Sequence, residues 1–263
     1  MKPESTPYAT YPAFVVGLHG TLTLHPLVAG QRERGEFDQD VYGLLVQRSA
    51  ALGLDEFGQR SNTAVHWHQH EAGGDWTQDG KVRQAAWMQA GLPDVPSRVP
   101  SWQAMTCLRD VLSKIGRFDL AGTHAVLPLG ADVLDNEHFP TTHGWFALLP
   151  QEPAEILVSV RTSVGVERPD PDPFATRMEQ RSLATLAVEA LATPPAGAPD
   201  PTGFEGAWLL GEGDLDALHF RVRAPEWSLD MAAFTTDLVS DVARSCGVRS
   251  PLLVSAFHTA ALD

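Results

Sequence analysis

The sequence predicts an α+β fold, with a mixed or mainly antiparallel sheet covered by about five helices. Three observations predict it. Several stretches place apolar residues three and four apart, the period of a helix with one buried face. The short runs between them alternate apolar and polar residues or are continuously apolar, as strands are. The order is not a strict strand–helix alternation, because strands come in pairs before a helix.

The elements follow in order along the chain. Ala13–Leu18 and Thr21–Leu24 read as one bent strand or a hairpin. Residues 38–52 carry Val41, Leu44, Leu45 and Leu52 on one side of a helix that stops at Gly53, as helices do where a left-handed residue closes the last turn. Ala64–His70 reads as a strand, because Thr63, Val65 and Trp67 favour extended backbone. Residues 79–90, with Val82, Ala85, Ala86 and Trp87 before Gly91, read as a weaker helix. Ser101 then caps a third helix that presents Trp102, Met105, Leu108, Leu112 and Ile115 and meets Gly116.

His124–Leu129, Trp145–Leu149 and Ile156–Val164 read as strands. Residues 173–192 form a fourth helix, with Met178, Leu183, Leu186 and Leu191, stopped by Pro194 and Pro195. Ala207–Leu210 and Leu215–Val222 read as a hairpin turning through Gly211-Glu212-Gly213. The fifth helix starts near Ser228, shows Met231, Phe234, Leu238 and Val242 on one side, and ends at Gly247. Leu252–Phe257 is the last strand.

Strand-strand-helix-strand thus recurs along the chain, which predicts an internal duplication with halves 11–118 and 119–263 inside one compact domain. The proline-rich segments 93–100, 169–173 and 194–201 are connections, since proline removes a backbone donor and biases its predecessor away from helix.

Composition narrows the function classes. The chain has 263 residues, 33 acidic and 19 basic, for a formal charge of -14. That field repels phosphate backbones and anionic lipid, so neither nucleic acid nor a membrane is expected as a partner. No run of apolar residues is long enough to span a bilayer, and Met1–Phe14 lacks the apolar core of a signal peptide. The two cysteines, Cys107 and Cys246, fall in expected helices, which fits a reduced, cytoplasmic protein.

Motifs narrow them further. There is no Walker-type phosphate loop, no dinucleotide glycine fingerprint, no H-E-x-x-H, no C-x-x-C and no nucleophile elbow. His19-Gly20-Thr21 has the H-x-T pattern that two-histidine phosphoesterases carry twice. The second copy is missing, because His258-Thr259 lacks the spacer and His143-Gly144-Trp145 lacks the hydroxyl.

The most distinctive segment is His66-Trp67-His68-Gln69-His70-Glu71. On a strand, residues two apart share a face, so His66, His68 and His70 form a row. Imidazole is the commonest neutral ligand for zinc, iron and nickel. Neighbouring members of the row sit about 6.8 Å apart at the backbone, close enough for two of them to converge on one ion. A solvated polar strand face would show the same alternation.

Trp67, Trp76, Trp87 and Trp102 lie near the row, as pocket wall or as core. The loop Asp132–His138 gathers three carboxylates and a histidine. His19, His124, His143, His219 and His258 each fall in or beside an expected strand, and a curved sheet would bring several to one cavity.

The expectation is a small-molecule enzyme that uses a divalent transition metal (zinc, iron or nickel). Its metal ligands are His66, His68 and His70, and Glu71, His19 and His143 are its candidate acid–base residues. The alternative is a non-catalytic acidic binding protein of inhibitor, immunity or adaptor type, whose charge steers a basic protein partner.

Overall fold

The computed structural model describes residues 12–54, 67–92, 99–129, 138–148, 152–163, 165–166, 168–211 and 217–262. Among the described residues there are eight strands: β1 (Ala13–Leu24), β2 (His68–Gly73), β3 (Arg83–Gly91), β4 (Gly116–Leu127), β5 (Ala154–Thr162), β6 (Ala187–Leu191), β7 (Ala217–Ala224) and β8 (Leu252–His258). Six helices accompany them: α1 (Pro26–Glu33), α2 (Val41–Leu52), α3 (Ser101–Ile115), α4 (His138–Phe146), α5 (Pro171–Arg181) and α6 (Leu229–Ser245). The strands form one open antiparallel sheet in the order β2-β3-β1-β4-β8-β5-β7-β6.

The order contains a repeat. β1-α2-β2-β3-α3-β4 gives the order β2-β3-β1-β4, and β5-α5-β6-β7-α6-β8 gives the matching order β6-β7-β5-β8. Each is a split β-α-β arrangement. A strand-strand-helix-strand unit is present in both, as β2-β3-α3-β4 and β6-β7-α6-β8, but not where the sequence suggested it, because Ala13–Leu24 is a single strand and Ala207–Leu210 is not a strand. β4 pairs with β8 along the middle and makes the two halves one sheet. Position 118 falls inside β4, so the topological boundary lies later, between β4 and β5.

Side-chain alternation sets the two faces. Along β1, Phe14, Val16 and Leu18 point into the main core under the helices, while Val15 joins a second cluster on the other face. The register shifts after Leu18 against β3 and after His19 against β4, so β1 is the bent strand that its sequence suggested. The main core is built on buried aromatics, with Phe174 and Phe220 stacked at 5.4 Å and Phe146 of α4 edge-on to Phe234 of α6 at 5.5 Å. Trp67 and Trp76 are buried in this core rather than walling a pocket.

α6 shows how local signals place a helix. The Ser228 hydroxyl accepts from the Met231 amide at 3.1 Å, and Gly247, at φ 87°, takes the left-handed position just past the end. Ser228→Ala is expected to lower stability by about 1 kcal/mol, read as a reduced urea midpoint at unchanged slope; an unchanged midpoint refutes the cap's contribution.

Several sequence expectations change. Residues 79–90 are mostly β3, not helix: Ala86, Met88 and Ala90 face the helices, and pairing to β1 and β2 on either side overrides alanine's helical preference. Residues 173–192 split, because α5 stops at Arg181 and Leu183 and Ala184 turn with φ 54° and 60° into strand β6. The aromatic run at 145–149 looked like a strand, but Trp145 and Phe146 close helix α4, which buries Phe146 against α6. Ala207–Leu210 is a short 3-10 turn and pairs with no strand. Helix α1, eight residues long and burying only Val28, was not expected from the sequence.

Both cysteines are free. Cys107 is buried in α3, where burial, and then the charge of Asp110, push its thiol up to about 12. Among the described residues no helix is long and apolar enough to cross a membrane.

Candidate functional site

The sheet face away from the helices is covered at its centre by a strap that runs through Pro201–Gly203 and Ala207–Leu210. The strap buries Phe204, Ala207 and Leu210 against Val15, Val126, Leu253 and Phe257. Two features let it lie so close. Gly206 has φ 81°, and a Cβ there would sit 2.6 Å from the Val15 side chain. Gly17 faces His124 across the β1–β4 ladder, and its missing side chain leaves the room that the imidazole occupies.

Under the strap lie two histidines from neighbouring strands, His19 of β1 and His124 of β4. His19 Nε2 and His124 Nδ1 are 2.8 Å apart, and His124 Nε2 is 3.1 Å from the Glu205 carbonyl. Phe204 stacks on His124 at 4.8 Å and leans on His19 at 4.7 Å, with Phe257 at 5.1 Å from His19. Burial pushes the His124 pKa down to about 4, although its bond to Glu205 opposes this. Burial, and then the neighbouring His124, hold His19 well below the usual histidine range. Both rings are therefore neutral at pH 7.

Neutrality and connectivity together fix every proton. The Glu205 carbonyl can only accept, so His124 Nε2 carries the hydrogen and its Nδ1 is bare. His19 must then donate from Nε2, which leaves its own Nδ1 as a bare lone pair. That nitrogen has no hydrogen-bond partner among the described residues.

His19 is only 5% exposed, yet it lines a cleft of about 440 Å³ at the side of the strap. Arg83, Gln84, Asp200, Phe204 and Phe257 share that lining. Arg83 is pinned by Asp75 at 2.8 Å and Asp79 at 2.6 Å, and Gln84 accepts from the Glu205 amide at 3.3 Å, tying strap to sheet.

No family model matches the chain, and neither does any curated protein or solved structure.

A hollow of about 520 Å³ lies elsewhere, between α2 and α3, lined by Leu44, Gln47, Arg48 and Asp110. Its main polar groups already satisfy each other, since Arg48 binds Asp110 at 2.5 Å. The smaller cleft at His19 is lined by a buried imidazole whose Nδ1 has no hydrogen-bond partner among the described residues.

The other sequence candidates lie apart. His66 and the acidic stretch 132–137 are outside the described residues. His68 and His70 are on edge strand β2, with rings 5.5 Å apart, and the regular row breaks at His70, where the register shifts between Gln69 and Glu71. Burial, and then the charge of His68, lower the His70 pKa, with Glu71 opposing. Among the described residues no three possible metal ligands gather in one place. Glu71 is exposed and two strands removed from β1. His143 is on α4, on the helix side of the sheet, with Nδ1 2.5 Å from the Thr185 hydroxyl. Of the expected acid–base residues, only His19 lies in the cleft, and the residue it meets there, His124, was visible in the sequence only as one of several strand histidines. Phe204, Phe257 and the Glu205 carbonyl carried no signal, since two are ordinary apolar residues and the third is backbone.

Proposed function

We propose that the chain is a small-molecule enzyme whose site is the His19 cleft, with His19 Nδ1 as the proton acceptor. The observation that carries this reading is the His19–His124–Glu205 relay. A base oriented by a second group, itself oriented by a third, is the arrangement that positions an imidazole for proton transfer. Here the relay serves no charge, because both rings are neutral; its product is one bare nitrogen held in one direction. The Phe204 and Phe257 rings make an apolar bed, which suits a small planar substrate presenting an O–H or N–H to His19. The depressed pKa matches His19 to an acidic substrate proton, which it takes without being protonated by solvent at pH 7.

Two measurements test the reading. Imidazole nitrogen NMR at pH 7 is expected to find the hydrogen on Nε2 of both His19 and His124. A set of small phenols and anilines is expected to bind saturably and to bind His19→Gln about tenfold more weakly, the loss of one buried hydrogen bond. A hydrogen on His19 Nδ1, or binding that is indifferent to His19→Gln, sinks the proposal.

A further inference from the structure

The second half of the sheet carries a different group on the same open face. Ser159 and Arg161 are two apart on β5 and so point the same way. His219 of β7 stands opposite Ser159 in the ladder, and its Nδ1 is 2.9 Å from the Ser159 hydroxyl. Arg168 comes from the connection that follows β5. Burial, and then the charges of Arg161 and Arg168, push the His219 pKa down. Arg168 also lines a narrow hollow with Val160, Thr162 and Leu218.

The two arginines are notable for what they lack. Arg48, Arg83, Arg117, Arg181 and Arg221 each hold a carboxylate. Arg161 and Arg168 make no ion pair among the described residues, in a chain with 33 acidic and 19 basic residues. Arg161 Nε is buried and has no hydrogen-bond partner. Asp200 acts on Arg161 only through its charge, since its Oδ1 accepts from the Thr202 amide at 2.9 Å. A buried guanidinium nitrogen without an acceptor is costly, and an anion that reaches it removes the cost.

We propose that Arg161, Arg168, His219 and Ser159 form an oxyanion-binding site that takes the phosphate or carboxylate group of a small ligand. Arg161 presents its planar fork to two ligand oxygens, and exposed Arg168 closes from the side. In the tautomer that such a site requires, the Ser159 hydroxyl donates to His219 Nδ1 and His219 Nε2 donates to the anion. The site borders the His19 cleft, since Asp200 lines that cleft and its charge reaches Arg161.

The test is titration with inorganic phosphate and, separately, malonate, against chloride at matched ionic strength. It is followed by calorimetry and by the imidazole resonances of His219. One anion is expected to bind saturably, which also distinguishes phosphate from carboxylate as the group recognised. Arg161→Gln and Arg168→Gln are each expected to weaken it about tenfold. Arg117→Gln, at a guanidinium already paired with Asp119, is expected to leave it unchanged. Arg168 is exposed, so that variant keeps the test open should Arg161→Gln fail to fold. Saturation by neither anion, or equal weakening by Arg117→Gln, overturns the proposal.

Discussion

Acidification from about pH 6.5 to about pH 4 is expected to remove about 3 kcal/mol of stability through His124 alone. The sign follows from proton counting. In the unfolded chain the imidazole binds a proton near its ordinary value, about 6.5. In the fold its pKa is down at about 4, so between those values the unfolded state holds a proton that the native state lacks. Stability is therefore complete above the unfolded value and falls as pH drops towards the folded one. His19 shifts the same way and adds to the loss.

The carboxylates do not confuse this window. Asp75, Asp79 and Asp200 are held below their ordinary value by hydrogen bonds from Thr77, Arg83 and Thr202 respectively, so their contribution fades only at more acidic pH. Urea unfolding across the range should show a steep decline for the native protein and a much shallower one for the His19→Gln/His124→Gln double variant. A flat native profile between about pH 6.5 and about pH 4 refutes the buried neutral pair.

Gly17→Ala is expected to be nearly as damaging. The new Cβ would lie 2.2 Å from His124 Cε1 and 2.7 Å from Nδ1, distances that no rotamer of alanine can relieve. The imidazole has no retreat, because Phe204 stacks on it at 4.8 Å and the strap carbonyl holds its far nitrogen. Overpacking of this kind costs about 1–3 kcal/mol, which for a chain of this size lowers Tm by roughly 2–12 °C. The His124 resonance should leave its relayed position. Gly144→Ala is the control: it is exposed on α4 with nothing within 4 Å of the added carbon, and should be neutral or slightly stabilising. Equal Tm values for the two variants would contradict the close approach at Gly17.

The fold class was legible because burial writes itself into period. α6 announced itself through its capping serine, its closing glycine and its apolar spacing, and β5 through Val158 and Val160. α3 was legible from apolar spacing alone. Ser101 is not its cap but lies inside the helix with its hydroxyl bonded to Asp237, and Gly116 is extended and opens β4. Where alanine dominated, as in Ala85–Ala86 and Ala187–Ala190, the sequence carried no preference strong enough to resist the neighbouring strands, and helix was read where strand forms. The site was less legible. His19 stood out by its setting, but its partner lies 105 positions away and their meeting depends on a sheet register that no local pattern encodes. Of the conspicuous histidine row, His66 lies outside the described residues, and the register shift at His70 leaves the His68 and His70 rings 5.5 Å apart on an edge strand.

The chain between β6 and β7 is where the two repeats part company. In the first, β2 and β3 are joined by 74–82; in the second, 192–216 carries the whole strap. One repeat therefore contributes the paired imidazoles, and the other reaches across the β4–β8 seam to roof them with Phe204 and Glu205. The molecule resembles two similar arrangements joined in a single chain, in which the longer β6–β7 connection of the second supplies the cover for the first. Neither repeat can assemble the cleft alone, because its lining comes from β1 and β3 of the one and from the strap and β8 of the other.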